Sequence, residues 1–277
     1  MVRTMFDLTN ENGFFCLFFF MMTVYIFCRK RNSTMYLNDN KWKFKYDKGW
    51  EDYFILNEKH IHLIRSHNKH CKYIRFGHLN IPKKFKCRLK HYKKYIREVY
   101  NIKPGIINIT NIPKKYNSIF IRGGDKILKE VKKISSHKYV DYLLNLNIET
   151  KSLFVHSDDN LIVLEVKNYI NNNNIDLNVF SITDNTSNGG AVVRSNLKYR
   201  QCKNILSVDE MSKEQKKKHV NMMINAIEIM KNSDNVVLSY DSNTSRFMKL
   251  YFECPVFSVN GKSDIDLHSS KHPAYGF

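Results

Sequence analysis

The sequence predicts an α/β protein built from two lobes, and three observations support this prediction. The chain has 277 residues, of which 43% are hydrophobic, so it can form two packed cores. In its second half, short apolar runs alternate with helical patterns, as in a parallel sheet with helical crossovers. Between the halves, residues 103–115 contain two prolines, a glycine and paired lysines, which is the composition of a linker. We therefore expect an N-terminal α/β lobe over residues 1–112 and a C-terminal lobe over residues 113–277.

The most apolar segment of the first lobe runs from Gly13 to Cys28 and is followed by three basic residues. It is shorter than the roughly 20 residues that cross a bilayer as a helix. The acidic Asp7 and Glu11 that precede it are atypical of a signal peptide. We therefore expect a buried helix, followed by a short strand at Met35–Leu37, and keep a membrane anchor as the alternative.

Aromatic residues are concentrated between Asn40 and Phe54, where they alternate with lysines and include both tryptophans, Trp42 and Trp50. Such a pattern can stack nucleic acid bases. The net charge of +19 also favours an anionic partner, whether nucleic acid, an anionic membrane or a phosphorylated small molecule. Because the basic residues are spread along the chain, we interpret the segment as a packed aromatic turn region. Nucleic acid binding is kept as an alternative function.

The cysteines and histidines do not form a recognisable metal-binding pattern. The six cysteines are scattered without Cys-x-x-Cys spacing, which argues against a zinc site and against a disulfide scaffold. Four histidines lie close together between His60 and His70, but they sit among basic residues. We interpret these histidines as solvated and predict no metal site.

Polar clusters follow the predicted strands of the second lobe. We expect strands at Ser118–Ile121, Ser152–His156, Asn178–Ile182 and Asn235–Ser239, with helices that include Leu161–Tyr169 and Glu214–Lys231. The clusters that follow these strands are Arg122–Lys126, Ser157–Asp159, Thr183–Asn185 and Asp241–Ser245. Because the carboxyl ends of parallel strands meet at one edge of a sheet, the clusters can line a single Rossmann-like crevice.

The first of these clusters is the most informative. Its two glycines permit a tight turn after the strand, and Asp125 is a suitable N-cap for a following helix. Arg122 would then project where an anionic ligand meets helix N–H groups. The segment has neither the P-loop pattern nor the three-glycine dinucleotide fingerprint.

Three blocks of the second lobe occur in an informative order. They are Phe120–Lys126 (Phe-Ile-Arg-Gly-Gly-Asp-Lys), Ser157–Asp159 (Ser-Asp-Asp) and Ser239–Arg246 (Ser-Tyr-Asp-Ser-Asn-Thr-Ser-Arg). They resemble His-Val-Arg-Arg-Thr-Asp-Lys, Thr-Asp-Asp and Thr-Phe-Ser-Ser-Gln-Val-Cys-Arg of the α1,6-fucosyltransferase family, which is related to nodulation fucosyltransferases and protein O-fucosyltransferases. At the same spacing, Glu130 and Tyr139 fall on the family's functional Glu and Tyr.

The first lobe extends this resemblance over most of the chain. Gly13–Cys16 and the apolar run that follows resemble the family's opening Gly-Tyr-Gly-Cys loop and helix. Trp42–Phe44 and Gly49–Glu51 resemble its Trp-Arg-Tyr and Gly-Gly-Trp-Glu. The resemblance implies a GT-B-like fold of two Rossmann-like lobes, with the acceptor on the side of the first lobe and the donor site at the carboxyl ends of the strands of the second.

The implied activity is an inverting, metal-independent transfer of fucose from GDP-fucose to a hydroxyl of a glycan or glycoprotein, without a cofactor. In this reading Arg122 binds the departing diphosphate, since a guanidinium can hold phosphate bidentately. Glu130 takes the position of the base, and Lys126, one helical turn earlier, holds this carboxylate or relays charge toward Ser242. The residues that the resemblance implies for donor binding are Phe44, Arg122, Asp125, Tyr139, Asp158, Asp159, Asp241 and Ser242. Within this set, Asp125 would orient Arg122, whereas Tyr139, Asp158 and Asp159 would contact the phosphate and sugar or brace the loop.

The sequence also departs from the family pattern. Gly123 stands where the family has a second Arg, Phe120 stands for its His, and Phe44 stands for a Tyr near the nucleotide. The family's guanine-reading Asp aligns with Ala226, and the nearest carboxylate is Glu228. These departures leave two alternatives open: a transferase that uses another nucleotide sugar, and a binding protein with the same fold that has lost catalysis.

The cysteines bear on the expected compartment. The family's disulfide-forming cysteines around the last block align with Leu238 and Ser245, and only Cys16 remains of those around its first loop. The chain also has no room for the anchor, coiled-coil stem and SH3-like tail of the luminal enzymes. We therefore expect a cytoplasmic protein rather than one of the Golgi lumen.

Overall fold

The computed structural model describes residues 3–8, 12–64, 73–76, 89–123, 134–183, 191–192 and 206–261. The chain divides into two compact units. Met1–Ile106 and Ser212–Lys217 belong to the first unit, and Ile107–Met211 and Lys218–Ile265 belong to the second. The lobe boundary between residues 112 and 113 stays a prediction.

The first unit contains a parallel four-stranded sheet. Its strands are β1 (Arg3–Asp7), β2 (Met35–Asn38), β3 (Ile61–Leu63) and β4 (Tyr73–Phe76), in the order β3-β2-β1-β4. Its helices among the described residues are α1 (Phe14–Lys30) and α2 (Leu89–Val99), with a short 3₁₀ turn at Trp50–Asp52. The strand predicted at residues 35–37 is therefore confirmed.

Helix α1 is the buried helix that the apolar segment predicts. Almost all of its side chains are buried, and the basic residues come only in its last turn. Two hydroxyl groups connect it to α2: the Thr23 hydroxyl lies 2.7 Å from that of Tyr92, and the Tyr25 hydroxyl donates to Glu98 at 2.6 Å. In the part of the chain that the structure describes, no helix is both long and apolar enough to cross a membrane.

The aromatic segment of the first unit belongs to its core. Trp42, Trp50 and Tyr53 are each at most 2% exposed, and the rings of Trp50 and Phe54 stack with their centroids 4.5 Å apart. Rings that are buried against one another cannot also stack on nucleic acid bases. The structure thus supports a packed aromatic region.

A buried carboxylate organises the loop of this segment. Asp52 accepts hydrogen bonds of 2.8 to 3.1 Å from the backbone N–H groups of residues 46–49. Gly49 has a φ of 94°, and a Cβ there would lie 2.2 Å from a carboxylate oxygen of Asp39. That oxygen accepts the backbone N–H of Trp50 at 2.7 Å. The loop therefore requires glycine at position 49 for both its backbone conformation and its packing.

The second unit contains a parallel five-stranded sheet with the order β11-β10-β5-β6-β7. Its strands are β5 (Asn117–Ile121), β6 (Ser152–Ser157), β7 (Asn178–Phe180), β10 (Val236–Leu238) and β11 (Val256–Ser258). The helices described here are α3 (Ser136–Leu144), α4 (Asn160–Asn172), α5 (Lys213–Lys231) and α6 (Asn243–Tyr251). A separate parallel pair joins β8 (Ala191–Val192) and β9 (Leu206–Ser207).

The direction in which the chain adds strands to this parallel sheet reverses between β5 and β10. The chain proceeds outward from β5 through β6 to β7, and then continues on the other side of β5 with β10 and β11. Ligands of open α/β sheets bind in the crevice at such a switch point, beyond the carboxyl ends of the strands. The prediction of an α/β fold with two parallel sheets is confirmed, and the position of this reversal is new information from the structure.

The two faces of the second sheet differ in composition. Ile119, Val155 and Val237 lie in an apolar core that includes residues of α3 and α4. The neighbouring residue Phe120 projects to the opposite face because side chains alternate along a strand. On that aromatic face, the Tyr116 hydroxyl donates to the carbonyl of Ile229 in α5 at 2.6 Å.

Candidate functional site

The candidate site lies at the carboxyl ends of β5, β6, β7 and β10. Arg122 follows β5 directly, and Asp158 and Asp159 follow β6. Asp241 and Ser242 lie in the turn between β10 and α6. Because β5 pairs with both β6 and β10, the sheet brings these predicted residues to one edge.

Arg122 is held by a carboxylate from the neighbouring strand. Its guanidinium forms an ion pair with Asp158, and the other oxygen of Asp158 accepts the backbone N–H of Gly123 at 2.6 Å. One carboxylate thus fixes both the side chain of Arg122 and the backbone that follows it. Of the two roles predicted for Asp158, this arrangement corresponds to bracing the loop.

The turn at Gly123 is closely packed. A Cβ at this position would lie 2.9 Å from Cβ of Asp159, 2.9 Å from Cδ1 of Ile162 and 3.1 Å from Oδ1 of Asp158. These contacts are shorter than the 3.5 to 4.0 Å or so at which carbon atoms normally meet. The turn after β5 therefore packs on the start of α4 so closely that a side chain at position 123 has no room.

Asp159 has a clear local function. Its side chain accepts the backbone N–H of Leu161 at 3.0 Å and so caps the N-terminus of α4. Its own N–H donates to the hydroxyl of Ser157 at 3.1 Å. Hydrogen bonds thus fix the residues after β6 in place, and this holds the neighbouring carboxylate of Asp158 in position to pair with Arg122.

A second group of predicted residues surrounds the turn after β10. The carboxylate of Asp241 accepts the hydroxyl of Ser239 at 2.6 Å. Tyr139 of α3 is buried beside these residues, and burial, followed by the charge of Asp241, raises its pKa so that it remains a neutral phenol. The structure therefore brings Tyr139 and Asp241 close together, and their roles in donor binding stay predictions.

Ser242 is the N-cap of α6. It is 2% exposed, and its hydroxyl accepts the backbone N–H of Ser245 at 3.0 Å and lies 2.8 Å from the Ser245 hydroxyl. This position places the Ser242 side chain at the N-terminus of a helix that begins at the switch point. The helix dipole there favours an anionic ligand.

The sequence analysis missed a pair of histidines near Arg122. His156 precedes Ser157 at the end of β6 and is 5% exposed, and its Nδ1 lies 3.0 Å from the hydroxyl of Thr183. Since this hydroxyl donates to the carbonyl of Ser157 at 3.1 Å, its oxygen accepts the Nδ1–H of His156. The tautomer of His156 is thereby fixed, with the proton on Nδ1.

Both histidines are neutral at neutral pH. Burial, together with the neighbouring His219 and the charge of Arg122, lowers the pKa of His156 to about 3. Burial and the charge of Arg122 lower the pKa of His219, on α5, to about 4. No local signal marks these residues in the sequence: His156 completes an apolar strand, and His219 ends a run of lysines at residues 216–218 that is typical of a solvated face.

The position aligned with the family's guanine-reading Asp is inaccessible. Ala226 is 0% exposed, and the amide of its neighbour Asn225 accepts the backbone N–H of Asn108 and donates to the carbonyl of Asn221, both at 2.8 Å. The carboxylate of Glu228 is bound by Lys231 at 2.7 Å and by the hydroxyl of Tyr251 at 2.9 Å. This stretch of α5 is thus occupied with internal contacts.

Several predicted residues cannot be placed in this arrangement. Asp125, Lys126 and Glu130 lie outside the described residues. Phe44 lies in the aromatic core of the first unit, where it is 4% exposed and packs against Phe14. Among the residues that the structure describes, no group of His, Cys, Asp and Glu side chains is arranged to hold a metal ion.

Comparison with known proteins identifies the fold. A crystal structure of the NodZ α-1,6-fucosyltransferase with GDP aligns with a TM-score of 0.55, covering 90% of this chain and 93% of that chain at 7% identity. A structure of fucosyltransferase NodZ from Bradyrhizobium gives a TM-score of 0.54 with the same coverage and identity. POFUT1 in complex with GDP gives 0.51 at 12% identity, covering 92% of this chain and 97% of that chain. The chain has the fold of GT-B-like fucosyltransferases.

This relation holds at the level of the fold. No protein-family model and no curated protein sequence matches the chain. At 7 to 12% identity the similarity concerns architecture, and residue roles must be argued from the site itself. The coverage nevertheless extends over both units, so the GT-B-like assignment applies to nearly the whole chain.

Proposed function

We propose that this protein is a glycosyltransferase that transfers fucose from GDP-fucose to a hydroxyl of a glycan or glycoprotein acceptor, with inversion and without a metal. The observation that carries the proposal is the braced Arg122 at the switch point of the second sheet. Neighbours of the same fold were crystallised with GDP or GDP-fucose. The crevice beyond the strand ends is where an α/β sheet of this kind binds a nucleotide.

The chemistry of Arg122 suits a departing diphosphate. A guanidinium has five N–H donors, so Arg122 can keep its ion pair with Asp158 and still bind phosphate oxygens. Its positive charge would stabilise the negative charge that develops on the leaving group. The N-terminus of α6, capped by Ser242, adds partial positive charge on the β10 side of the same edge.

The remaining roles follow the family resemblance. Glu130 would remove the proton of the acceptor hydroxyl, and Lys126 would hold this carboxylate in place. The residues that would orient the donor, or support those that do, are Asp125, Tyr139, Asp158, Asp159, Asp241 and Ser242. The acceptor would bind to the first lobe.

Calorimetric titration with GDP, GDP-fucose, UDP and ADP in the absence of metal tests the donor site. We expect selective binding of the guanine nucleotides, and Arg122→Ala should weaken it by about 10- to 100-fold through loss of a charge-assisted contact. Arg97→Ala is the matched control, because Arg97 lies on the exposed side of α2. Unchanged GDP affinity in a folded Arg122→Ala variant would contradict the proposal.

Because the position aligned with the guanine-reading Asp is a buried alanine, Ala226, two alternatives are tested as well. They are a transferase that uses another nucleotide sugar and a binding protein that has lost catalysis, and the same titration distinguishes between them. A preference for UDP or ADP would indicate a transferase that uses another nucleotide sugar. Selective GDP-fucose binding without transfer or hydrolysis would indicate a binding protein. We therefore pair the titration with an assay for release of GDP from GDP-fucose, with and without a panel of glycan acceptors.

A further inference from the structure

The carboxyl ends of β6 and β7 are connected by a side chain. Among the described residues, the backbone pairing of these two strands ends at Phe154 and Phe180. Ser157 and Thr183 each lie three residues further along the chain, and the Thr183 hydroxyl donates to the carbonyl of Ser157 at 3.1 Å. Thr183 therefore continues the connection between the strands beyond the end of their backbone ladder.

The hydroxyl of Thr183 has a fixed direction. Its oxygen accepts the Nδ1–H of His156 at 3.0 Å, so its own proton is left for the carbonyl of Ser157. His156 is 5% exposed, and its ring stacks on that of Phe120 in β5 with the centroids 6.1 Å apart. The backbone of Thr183 is held as well, because its N–H donates to the hydroxyl of Ser181 at 3.1 Å.

The carbonyl that Thr183 binds belongs to the peptide unit that precedes Asp158. Because a peptide unit is planar, fixing this carbonyl also fixes the backbone nitrogen of Asp158. The Asp158 carboxylate then reaches β5, where it pairs with Arg122 and accepts the backbone N–H of Gly123 at 2.6 Å. A continuous series of contacts thus connects the hydroxyl of Thr183 with the guanidinium of Arg122.

The polarity of β6 changes where this series of contacts begins. Residues 153–155 are apolar and buried, whereas His156 and Ser157 are polar and buried. Packing alone does not require polar groups here, because apolar side chains fill buried positions without needing hydrogen-bond partners. The change occurs at the carboxyl edge of the sheet, where a parallel α/β sheet binds its ligand.

We infer that Thr183 is a positioning residue of the donor site. Its hydroxyl fixes the peptide between Ser157 and Asp158, and Asp158 in turn holds Arg122 in the orientation in which it meets a diphosphate. This inference rests on the proposed function and extends the donor site to the segment that follows β7. Without the hydroxyl, the peptide can rotate and Arg122 loses a fixed partner.

A double-mutant cycle tests this role. Calorimetry gives the GDP dissociation constants of the wild-type protein, Thr183→Val, Arg122→Ala and the double variant, after circular dichroism has verified their folding. We expect Thr183→Val to weaken GDP binding roughly fivefold, as the loss of one hydrogen bond does, but less than about twofold in the Arg122→Ala background. Thr183→Ala replaces a Thr183→Val protein that fails to fold, and Arg122→Lys replaces an Arg122→Ala protein that binds too weakly to measure.

Two variants separate the role of the hydroxyl from a general loss of stability. Thr183→Ser keeps the hydroxyl and should bind GDP within about twofold of the wild type. Thr150→Val is the matched control, because the Thr150 hydroxyl also donates to a backbone carbonyl, that of Lys115 at 3.0 Å, but precedes β6 at its opposite end. Its GDP affinity should be unchanged. Unchanged affinity of Thr183→Val, or equal weakening in both backgrounds of the cycle, overturns the inference and leaves the proposed function standing.

A measurement on the free protein keeps the inference testable if no nucleotide binds. In that case the donor proposal fails, and the amide of Gly123 reports on Asp158, because its N–H donates to that carboxylate. Hydrogen exchange of this amide, measured by NMR, should be roughly fivefold faster in Thr183→Val than in the wild type. Dividing by the rate for Ile119, in the middle of β5, removes any change in global stability. A faster normalised rate supports the positioning of Asp158 by Thr183, and an unchanged one overturns it.

Discussion

The substitution Gly123→Ala tests how tightly the turn after β5 is packed on the start of α4. Its Cβ would lie 2.9 Å from two carbon atoms, Cβ of Asp159 and Cδ1 of Ile162. The end of the Ile162 side chain can move, but Asp159 is anchored as the cap of α4. We therefore expect the free energy of unfolding to fall by about 1 to 3 kcal/mol, although replacing glycine normally restricts the unfolded chain and stabilises a protein by about 0.4 to 1 kcal/mol.

The larger substitution Gly123→Arg restores the family's second arginine and makes the test functional. By charge alone, a second guanidinium should tighten GDP binding. By geometry, the side chain must displace Asp158 or Asp159, so the hydrogen bond from the backbone of residue 123 to Asp158 and the pairing of Arg122 are both disturbed. We therefore expect weaker binding of GDP, with a loss of stability at least as large as that of the alanine variant.

The assays are equilibrium unfolding in urea, followed by circular dichroism, and calorimetric titration with GDP. Gly13→Ala is the control, because a Cβ at Gly13 would have no atom within 4 Å and its φ is −62°. The reasoning is refuted if Gly123→Ala is as stable as Gly13→Ala, or if Gly123→Arg binds GDP more tightly than the wild-type protein at unchanged stability.

Two further predictions concern stability. Gly49→Ala should destabilise the protein by about 3 kcal/mol or more, because it combines a left-handed backbone with a clash against Asp39. Gly105→Ala, with a φ of 82° but open space around it, should cost only the backbone contribution of about 1 to 2 kcal/mol, and urea unfolding measures the difference. Acidification should also destabilise the protein, since folded His156 binds its proton only near pH 3 whereas the unfolded chain binds it near pH 6.5. This residue should therefore lower the free energy of unfolding by about 1.4 kcal/mol per pH unit as the pH falls from about 6.5 to about 3. A His156→Gln variant that loses stability as steeply as the wild type over this range would contradict the assignment.

The sequence was informative wherever a local pattern determines structure. The apolar run of residues 118–121 predicted β5, and the polar residues after it placed Arg122 at the carboxyl edge of a sheet. The pairing of Arg122 with Asp158 could not be predicted in this way, because Asp158 reaches Arg122 only through the register of β5 and β6. The predicted role of Asp125 in orienting Arg122 stays a prediction, since Asp125 lies outside the described residues.

The two histidines near Arg122 illustrate the same limit more strongly. His156 and His219 are separated by more than 60 residues, and neither lies in a motif. Their significance arises from burial and from the charge of Arg122, which are properties of the folded sheet. Gly123 is a related case, because the contacts with Asp159 and Ile162 that leave no room for a side chain there cannot be read from the sequence.

The strand order of the second sheet has a consequence for how the protein acquires its site. Asn235, just before β10, donates a hydrogen bond to Asn117 at the start of β5, 118 residues earlier in the chain. Contacts between such distant segments form late, because closing a long loop is entropically costly. During synthesis, β5 and β6 could pair and Arg122 could meet Asp158 long before β10 emerges from the ribosome. We therefore expect the crevice to be completed only after β10 has been synthesised, and pulsed hydrogen exchange on stalled chains should detect protection of the amides of β6 before those of β10.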